Sequence, residues 1–205
     1  MYKQAIQCLS GRQANILGHE DCFESAVILP LVEKDGQYWI LFQKRADNIH
    51  QPGEISFPGG RIETEDSNPQ EAAVRETCEE IGLNPEDIKV IAPLDIMVSP
   101  LNTIVYPFLG EIINPDLIKA NPAEVAELFY VPLEFFLNCD PLYKPIALSM
   151  SAPEDFPFDM IPQGKAYPFM KGIWPQFFYV WEDRVIWGLT ARILTHFLRL
   201  LKSVC

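Results

Sequence analysis

Three glutamates, Glu76, Glu79 and Glu80, follow Arg75 in the run Arg-Glu-Thr-Cys-Glu-Glu. Their spacing of i, i+3 and i+4 sends all three carboxylates off one face of a helix. Like charges held that closely repel, and a purely structural helix gains nothing from them. A hard divalent cation does gain, because Mg²⁺ and Mn²⁺ take oxygen ligands. For an isolated acidic string the plain alternative is a solvated face. Against it stand fixed neighbours: the Pro58-Gly59-Gly60 turn upstream, the Arg75-Glu76 pair itself and Gly82 downstream. The chemistry this set suits is the handling of a phosphate ester, with metal bridging protein carboxylates and substrate oxygens.

The helix carrying these residues has clear punctuation. Ser67 is the expected N-cap, Pro69 falls in the first turn and Gln70 closes a capping box. Glu71 and Arg75 form an expected i, i+4 pair. Gly82 stops the helix, and Pro85 keeps it from resuming. Ala72, Ala73 and Cys78, on the opposite side, suit packing against a sheet.

Strands are expected at residues 23–32 and 37–43, joined through the turn signal Lys34-Asp35-Gly36. A brief strand at 55–57 leads into the Gly-Gly turn. Further strands are expected at 89–97 and 103–112, a helical turn at 123–128, and another element from 131 to 137. Residues 1–20 read as an N-terminal arm or short helix. Residues 139–176, rich in Pro, Gly and aromatics, read as an irregular region or a wandering hairpin that shapes specificity. A late hairpin joins 177–180 to 184–187, and an amphipathic helix at 190–201 closes the fold. Strands with helices on both sides imply an α/β protein, an α/β/α sandwich around a mixed sheet.

At 205 residues the chain suits a single domain with a sizeable core. No apolar run approaches the ~18 residues that span a bilayer, so no membrane partner is expected. The first residues show no basic segment followed by an apolar one, so no secretory signal is expected. Cys8, Cys22, Cys78, Cys139 and Cys205 are odd in number and lack C-x-x-C spacing. That pattern argues for a reducing compartment and a cytoplasmic location, and against a disulfide framework or a zinc site. A net charge of −12 argues against nucleic acid as a partner. A small phosphate ester is still admissible, provided that a divalent metal bridges protein carboxylates and substrate oxygens.

With those residues in view, the chain resembles the Nudix hydrolases. Their box reads G-x5-E-x7-R-E-U-x-E-E-x-G-U, with U aliphatic. Gly60 opens it here, and the stretch from Arg75 to Leu83 completes it. Asp66 stands where the family usually has Glu, one residue further from the arginine than usual, and Thr77 is less apolar than the usual U. The resemblance implies the sandwich fold and hydrolysis of a diphosphate linked to another moiety. It implies Mg²⁺ or Mn²⁺ held by Glu76, Glu79 and Glu80, with Gly60 letting backbone come close to the metal. Arg75 would hold the glutamates and loop by salt bridges, with Asp66 as a partner. One carboxylate can act as general base instead of ligand, and family members differ on which.

A narrower likeness is to coenzyme A diphosphatases within that family, which carry L-L-T-x-R-S-x3-R-x3-G-x3-F-P-G-G upstream of the box. Arg45 and the segment from Gly53 to Gly60 match; His50 replaces the second Arg, and the interval before Gly53 is one residue short. The Asp66 spelling and the Ile-Trp-Gly-Leu-Thr-Ala-Arg segment at 186–192 also occur in that subgroup. The resemblance implies coenzyme A or a derivative as substrate, with 3′,5′-ADP and a 4′-phosphopantetheine compound as products. The alternatives are ADP-ribose, nucleotide sugars or dinucleotides, and a non-catalytic Nudix module that only binds ligand.

Arg45 and His50 are the candidate substrate contacts, with Lys44 a weaker one whose plain reading is a solvent-facing strand end. Glu124 is a candidate further acidic residue near the metal, with Glu127 competing for that place. Trp174, Phe177, Phe178, Tyr179 and Trp187 either stack on a base or fill the core. Cys78 is expected to pack rather than to act as a nucleophile, and His196 to sit at a surface or between helices.

Overall fold

The run from Phe23 to Lys34 is apolar at nearly every position of its middle, as a strand covered on both faces must be. The computed structural model describes residues 2–204 and bears this out. Met1 and Cys205 lie outside the described residues. In chain order the elements are α1 (Tyr2–Cys8), β1 (Phe23–Lys34), β2 (Gln37–Arg45), β3 (Ile55–Ser56), β4 (Gly59–Arg61) and α2 (Pro69–Ile81). Next come β5 (Ile88–Pro93), β6 (Met97–Ser99), β7 (Thr103–Ile112), β8 (Val125–Pro132) and α3 (Leu133–Asn138). The last part holds β9 (Leu142–Tyr143), β10 (Ile146–Ser149), β11 (Lys171–Trp174), β12 (Phe177–Trp181), β13 (Arg184–Ile186) and α4 (Gly188–Val204).

Strands β1 to β8 form one eight-stranded sheet. β1 pairs in parallel with β7 on one edge, and antiparallel with β2 and β4 on the other. The sheet is therefore mixed. Alternation along β1 sorts its side chains between two layers. Ala26, Ile28 and Val32 pack toward α2, against Ala72, Ala73 and Ile81. Leu29 and Leu31 join the opposite cluster, with Phe136 of α3 and Leu194, Phe197 and Leu198 of α4. Phe136 and Leu194 have no exposure, so truncating either to Ala costs about 2–5 kcal/mol. The result is the expected α/β/α sandwich. Among the described residues no helix is long and apolar enough to cross a membrane.

Several local expectations are corrected. The N-cap of α2 is Asn68, not Ser67: its extended backbone (φ −165°, ψ 165°) precedes Pro69, and its side chain accepts from the Glu71 N–H. The residue before a proline is kept out of the helical region, so the cap falls there. Glu71, rather than Gln70, reaches back, accepting at 2.9 Å from the Ser67 N–H. Glu71 is thereby diverted from the expected pairing with Arg75, which binds other carboxylates. Residues 123–128 are not a helical turn: from Val125 onward they are strand β8, paired with β2. An open sheet edge with an apolar alternation outweighs the helix preference of Ala and Glu. The single strand expected at 89–97 is two, β5 and β6, both laid on β7. Within 139–176, β10 and β11 pair antiparallel, with 3-10 turns at Phe158–Met160 and Gly164–Ala166 between them.

Candidate active site

The turn before α2 is tight enough that only glycine fits. Gly59 has φ +140°, and a β-carbon there would collide with the Ala26 carbonyl. At Gly60 a β-carbon would run into the Glu76 carboxylate, so the missing side chain is the space that Glu76 fills. The Gly59 N–H donates at 2.8 Å to Glu80 Oε2. Turn and helix are thus locked together through the carboxylates themselves.

Arg75 is the hub of this wall. Its Nε and Nη2 donate to the two oxygens of Asp66 at 3.0 and 2.9 Å, a bidentate pair. Nη1 donates to Glu76 at 2.8 Å and, at 3.5 Å, to Glu79; Nη2 also reaches the Arg61 carbonyl at 3.1 Å. The Asp66 partnership expected from the sequence is present, with Asp66 also accepting from the Glu63 N–H at 2.8 Å. Arg75 holds the Asp66 carboxyl below the usual carboxylate range and is itself held protonated, chiefly by Asp66.

The glutamates differ. Glu80 is buried, 3% exposed, and that burial pushes its carboxyl up to about 7, against the Gly59 N–H and Gln43, with Glu124 and Glu76 adding to the rise. Glu76 is also pushed up, first by burial, while Arg75 opposes and Glu79 and Glu124 add repulsion. Glu79 stays half exposed beside Arg75. A cavity of about 860 Å³ is lined by Glu76, Glu80, Gly60, Glu124, Arg45 and His50. Glu79 and Lys44 are not in that lining. Arg45 Nε donates to the His50 carbonyl at 2.8 Å, which folds the intervening loop over the cavity. Glu127 is paired with Arg184, whereas Glu124, held by Asn121 at 3.0 Å, faces the cavity.

Among the described residues no three His, Cys, Asp or Glu side chains stand close enough together to form a ready-made metal cage. The donors nevertheless suit a hard cation. Glu76, Glu80 and Glu124 are all oxygen donors, they repel one another across the cavity, and the Gly60 gap cradles one of them. Cys78 behaves as packing: burial pushes its thiol up to about 11, far from a thiolate nucleophile. It is free, as are Cys8, Cys22 and Cys139.

The far wall was less legible. Trp174 and Trp187 line the cavity, while Tyr179 is core, 1% exposed, and Phe178 stacks on Trp187 at 6.1 Å. Gln176 and Ser56 also line it, each with a buried side-chain oxygen that has no hydrogen-bond partner. Gln43, fully buried beneath Glu80, has neither amide atom in hydrogen-bond geometry. An amide amid the apolar residues of β2 was a visible signal for Gln43. Gln176, in a Pro-rich stretch, had none.

Fold and site together define a class: a mixed sheet between helices, with a glutamate helix behind a Gly-Gly turn. The NUDIX domain family matches residues 23–148, more than half of the chain. The chain belongs to the Nudix hydrolase family. It is 33% identical over 120 residues to the mouse peroxisomal coenzyme A diphosphatase NUDT7, a match over 58% of this chain that spans about half, 51%, of that protein. It is 32% identical over 173 residues to the Nudix hydrolase NudL of Enterobacter sp. (strain 638), covering 83% of this chain and 79% of that one. The crystal structure of a MutT/nudix family protein from Enterococcus faecalis superposes with a TM-score of 0.53 at 13% identity, over 98% of this chain and 70% of that one, a likeness of fold alone.

Proposed function

We propose that this protein is a Mg²⁺- or Mn²⁺-dependent diphosphatase that hydrolyses coenzyme A or its derivatives to 3′,5′-ADP and a 4′-phosphopantetheine compound. The observation that carries the reading is the convergence of Glu76, Glu80 and Glu124 on one cavity, against the Gly59-Gly60 turn. A bound divalent ion would neutralise diphosphate charge and lower the pKa of a water. Glu76 and Glu80 would hold it, with Gly60 keeping space for the Glu76 carboxylate and Glu79 joining on release from Arg75. Arg75 touches no substrate in this reading; it fixes the loop and the glutamates. Arg45 and His50 would take the diphosphate oxygens, and Glu124 closes the acidic rim. A carboxylate left free of metal would serve as the base that takes the water's proton.

The coenzyme A assignment is supported by the likeness to the mouse enzyme and by the segment from Gly53 to Phe57, part of which lines the cavity. Residues 139–176 contribute Trp174 and Gln176 to the far wall, the proposed seat of specificity, so that the chain works as one domain. The charge of −12 and the four free thiols among the described residues support a small-molecule substrate and a reducing, cytoplasmic setting. One observation favours a second reading, ADP-ribose or a nucleotide sugar: His50 brings at most one weak cation where the upstream pattern has a guanidinium. Product analysis with Mg²⁺ or Mn²⁺ on a panel of coenzyme A, acetyl-coenzyme A, ADP-ribose and UDP-glucose decides between them. Release of 3′,5′-ADP, fastest from coenzyme A compounds, is expected. Faster cleavage of ADP-ribose or UDP-glucose would overturn the substrate, and metal-independent binding with no turnover of any compound would overturn the enzyme.

A further inference from the structure

We infer that the pocket between α4 and the β5–β6 connection is a second, cationic site that binds a phosphate group, with Arg192 and Arg199 as its holders. The pocket encloses about 290 Å³ and is separate from the glutamate cavity, sharing with it only Ile193. Arg192, His196 and Arg199 line it from α4 at i, i+4 and i+7, one face of the helix. In a chain of 28 acidic and 16 basic residues, α4 carries these three and Lys202 and no carboxylate at all. Asp95 is the one carboxylate in the lining; its side chain is 82% exposed and lies 3.2 Å from His196 Nε2, so it leaves both arginines free.

Arg192 is the least satisfied of the cations. Its guanidinium carbon lies 4.1 Å from the centroid of the Trp174 ring, and its Nη1 is buried with no acceptor. An aromatic face offers charge attraction but does not replace an in-plane oxygen acceptor. Burial also lowers its pKa, the mark of a charge stripped of water without compensation. A phosphate group supplies what is missing, because the planar guanidinium fork matches two of its oxygens. The rest of the lining is mostly apolar, including Met97, Val98 and Phe177, so an anion there meets little competing protein charge. Trp174 lines the glutamate cavity and carries Arg192 on its ring, so it stands between the two sites. Occupancy of the second site therefore reaches the first through one side chain.

The phosphate has two possible sources, a free ion or a phosphomonoester arm of the substrate, and two experiments separate them. First, the full chain freed of metal with EDTA is titrated with inorganic phosphate at constant ionic strength, by calorimetry and tryptophan fluorescence. Saturable binding is expected, about tenfold weaker in Arg192→Gln and several-fold weaker in Arg199→Gln, with far-UV circular dichroism unchanged. No saturable binding, or binding equal in wild type and both variants, would overturn the site. Arg199 is exposed, so its variant keeps the test decisive if Arg192→Gln misfolds. Second, with Mg²⁺, KM is compared for coenzyme A and 3′-dephospho-coenzyme A. If the arm is the source, Arg192→Gln raises only the first; if free phosphate is, added phosphate alters KM in wild type but not in the variant. Identical behaviour of wild type and variant in every arm would overturn the proposal. Only the second experiment rests on the coenzyme A reading; the first uses neither substrate nor metal.

Discussion

The near wall of the large cavity is built from one unbroken stretch, Gly59 to Glu80, whereas its far wall gathers Ser56, Trp174, Gln176, Trp187 and Thr190 from distant parts of the chain. The near wall is stiff and charged. Its glycines have no room for a β-carbon, and Arg75 ties four acceptors from the loop and the helix. The far wall is aromatic and amide-bearing, held by packing and by single bonds such as Thr190 Oγ1 to the Ile55 carbonyl at 3.1 Å. Under the proposed function this difference gives reaction to the first and recognition to the second, since charge stabilisation demands fixed geometry and recognition of an organic moiety demands surface.

That division fails if the two walls respond alike to substitution. The largest effect expected is from Glu80→Gln or Glu76→Gln, a loss on the order of 10³-fold in kcat with the fold intact by circular dichroism. Near-wild-type turnover in both would remove the near wall from the chemistry. Next come Arg75→Gln and Gly60→Ala, which move carboxylates without deleting them. Each should weaken metal activation and turnover by about 10–100-fold, read as activity against Mg²⁺ concentration. If the curve keeps its midpoint in both, the positioning role is wrong.

Smaller effects belong to the far wall. Trp174→Ala and Gln176→Leu should raise KM by roughly tenfold and leave kcat within about twofold, the pattern of lost uniform binding. A fall in kcat matching that of the glutamate variants would erase the distinction between the walls. The smallest effect is on stability in the absence of metal. Glu80 has a folded pKa of about 7, above the ordinary 4.5, so between those values the folded state holds more protons than the unfolded. Stability should therefore fall as pH rises from ~4.5 to ~7, by up to about 3 kcal/mol, and Glu80→Gln should flatten the slope. Thermal melts in EDTA at several pH values measure it; a profile unchanged by Glu80→Gln would mean that Glu80 does not cause the slope.

The sequence by itself determined those features whose causes lie within a few residues of each other. The Gly-Gly turn, the termination of α2 at Gly82 and the shared facing of Glu76 and Glu80 all follow from local sterics and helical spacing. So do β7, whose bounds match the expected 103–112, and the hairpin of β1 and β2. What only the tertiary structure decided depends on partners far along the chain. Residues 125–132 are a strand because β2 offers an edge. Glu124 rather than Glu127 faces the cavity because Arg184 claims Glu127. Glu79 lies beside Arg75, and Gln43 beneath Glu80, because three-dimensional packing assigns each side chain its neighbours. The cationic face of α4 was present in the sequence as an amphipathic pattern. That its arginines line a pocket emerged only when Asp95, Ile96 and Met97 were brought against α4, since a guanidinium's surroundings are set by what packs on it and not by its own position in the chain.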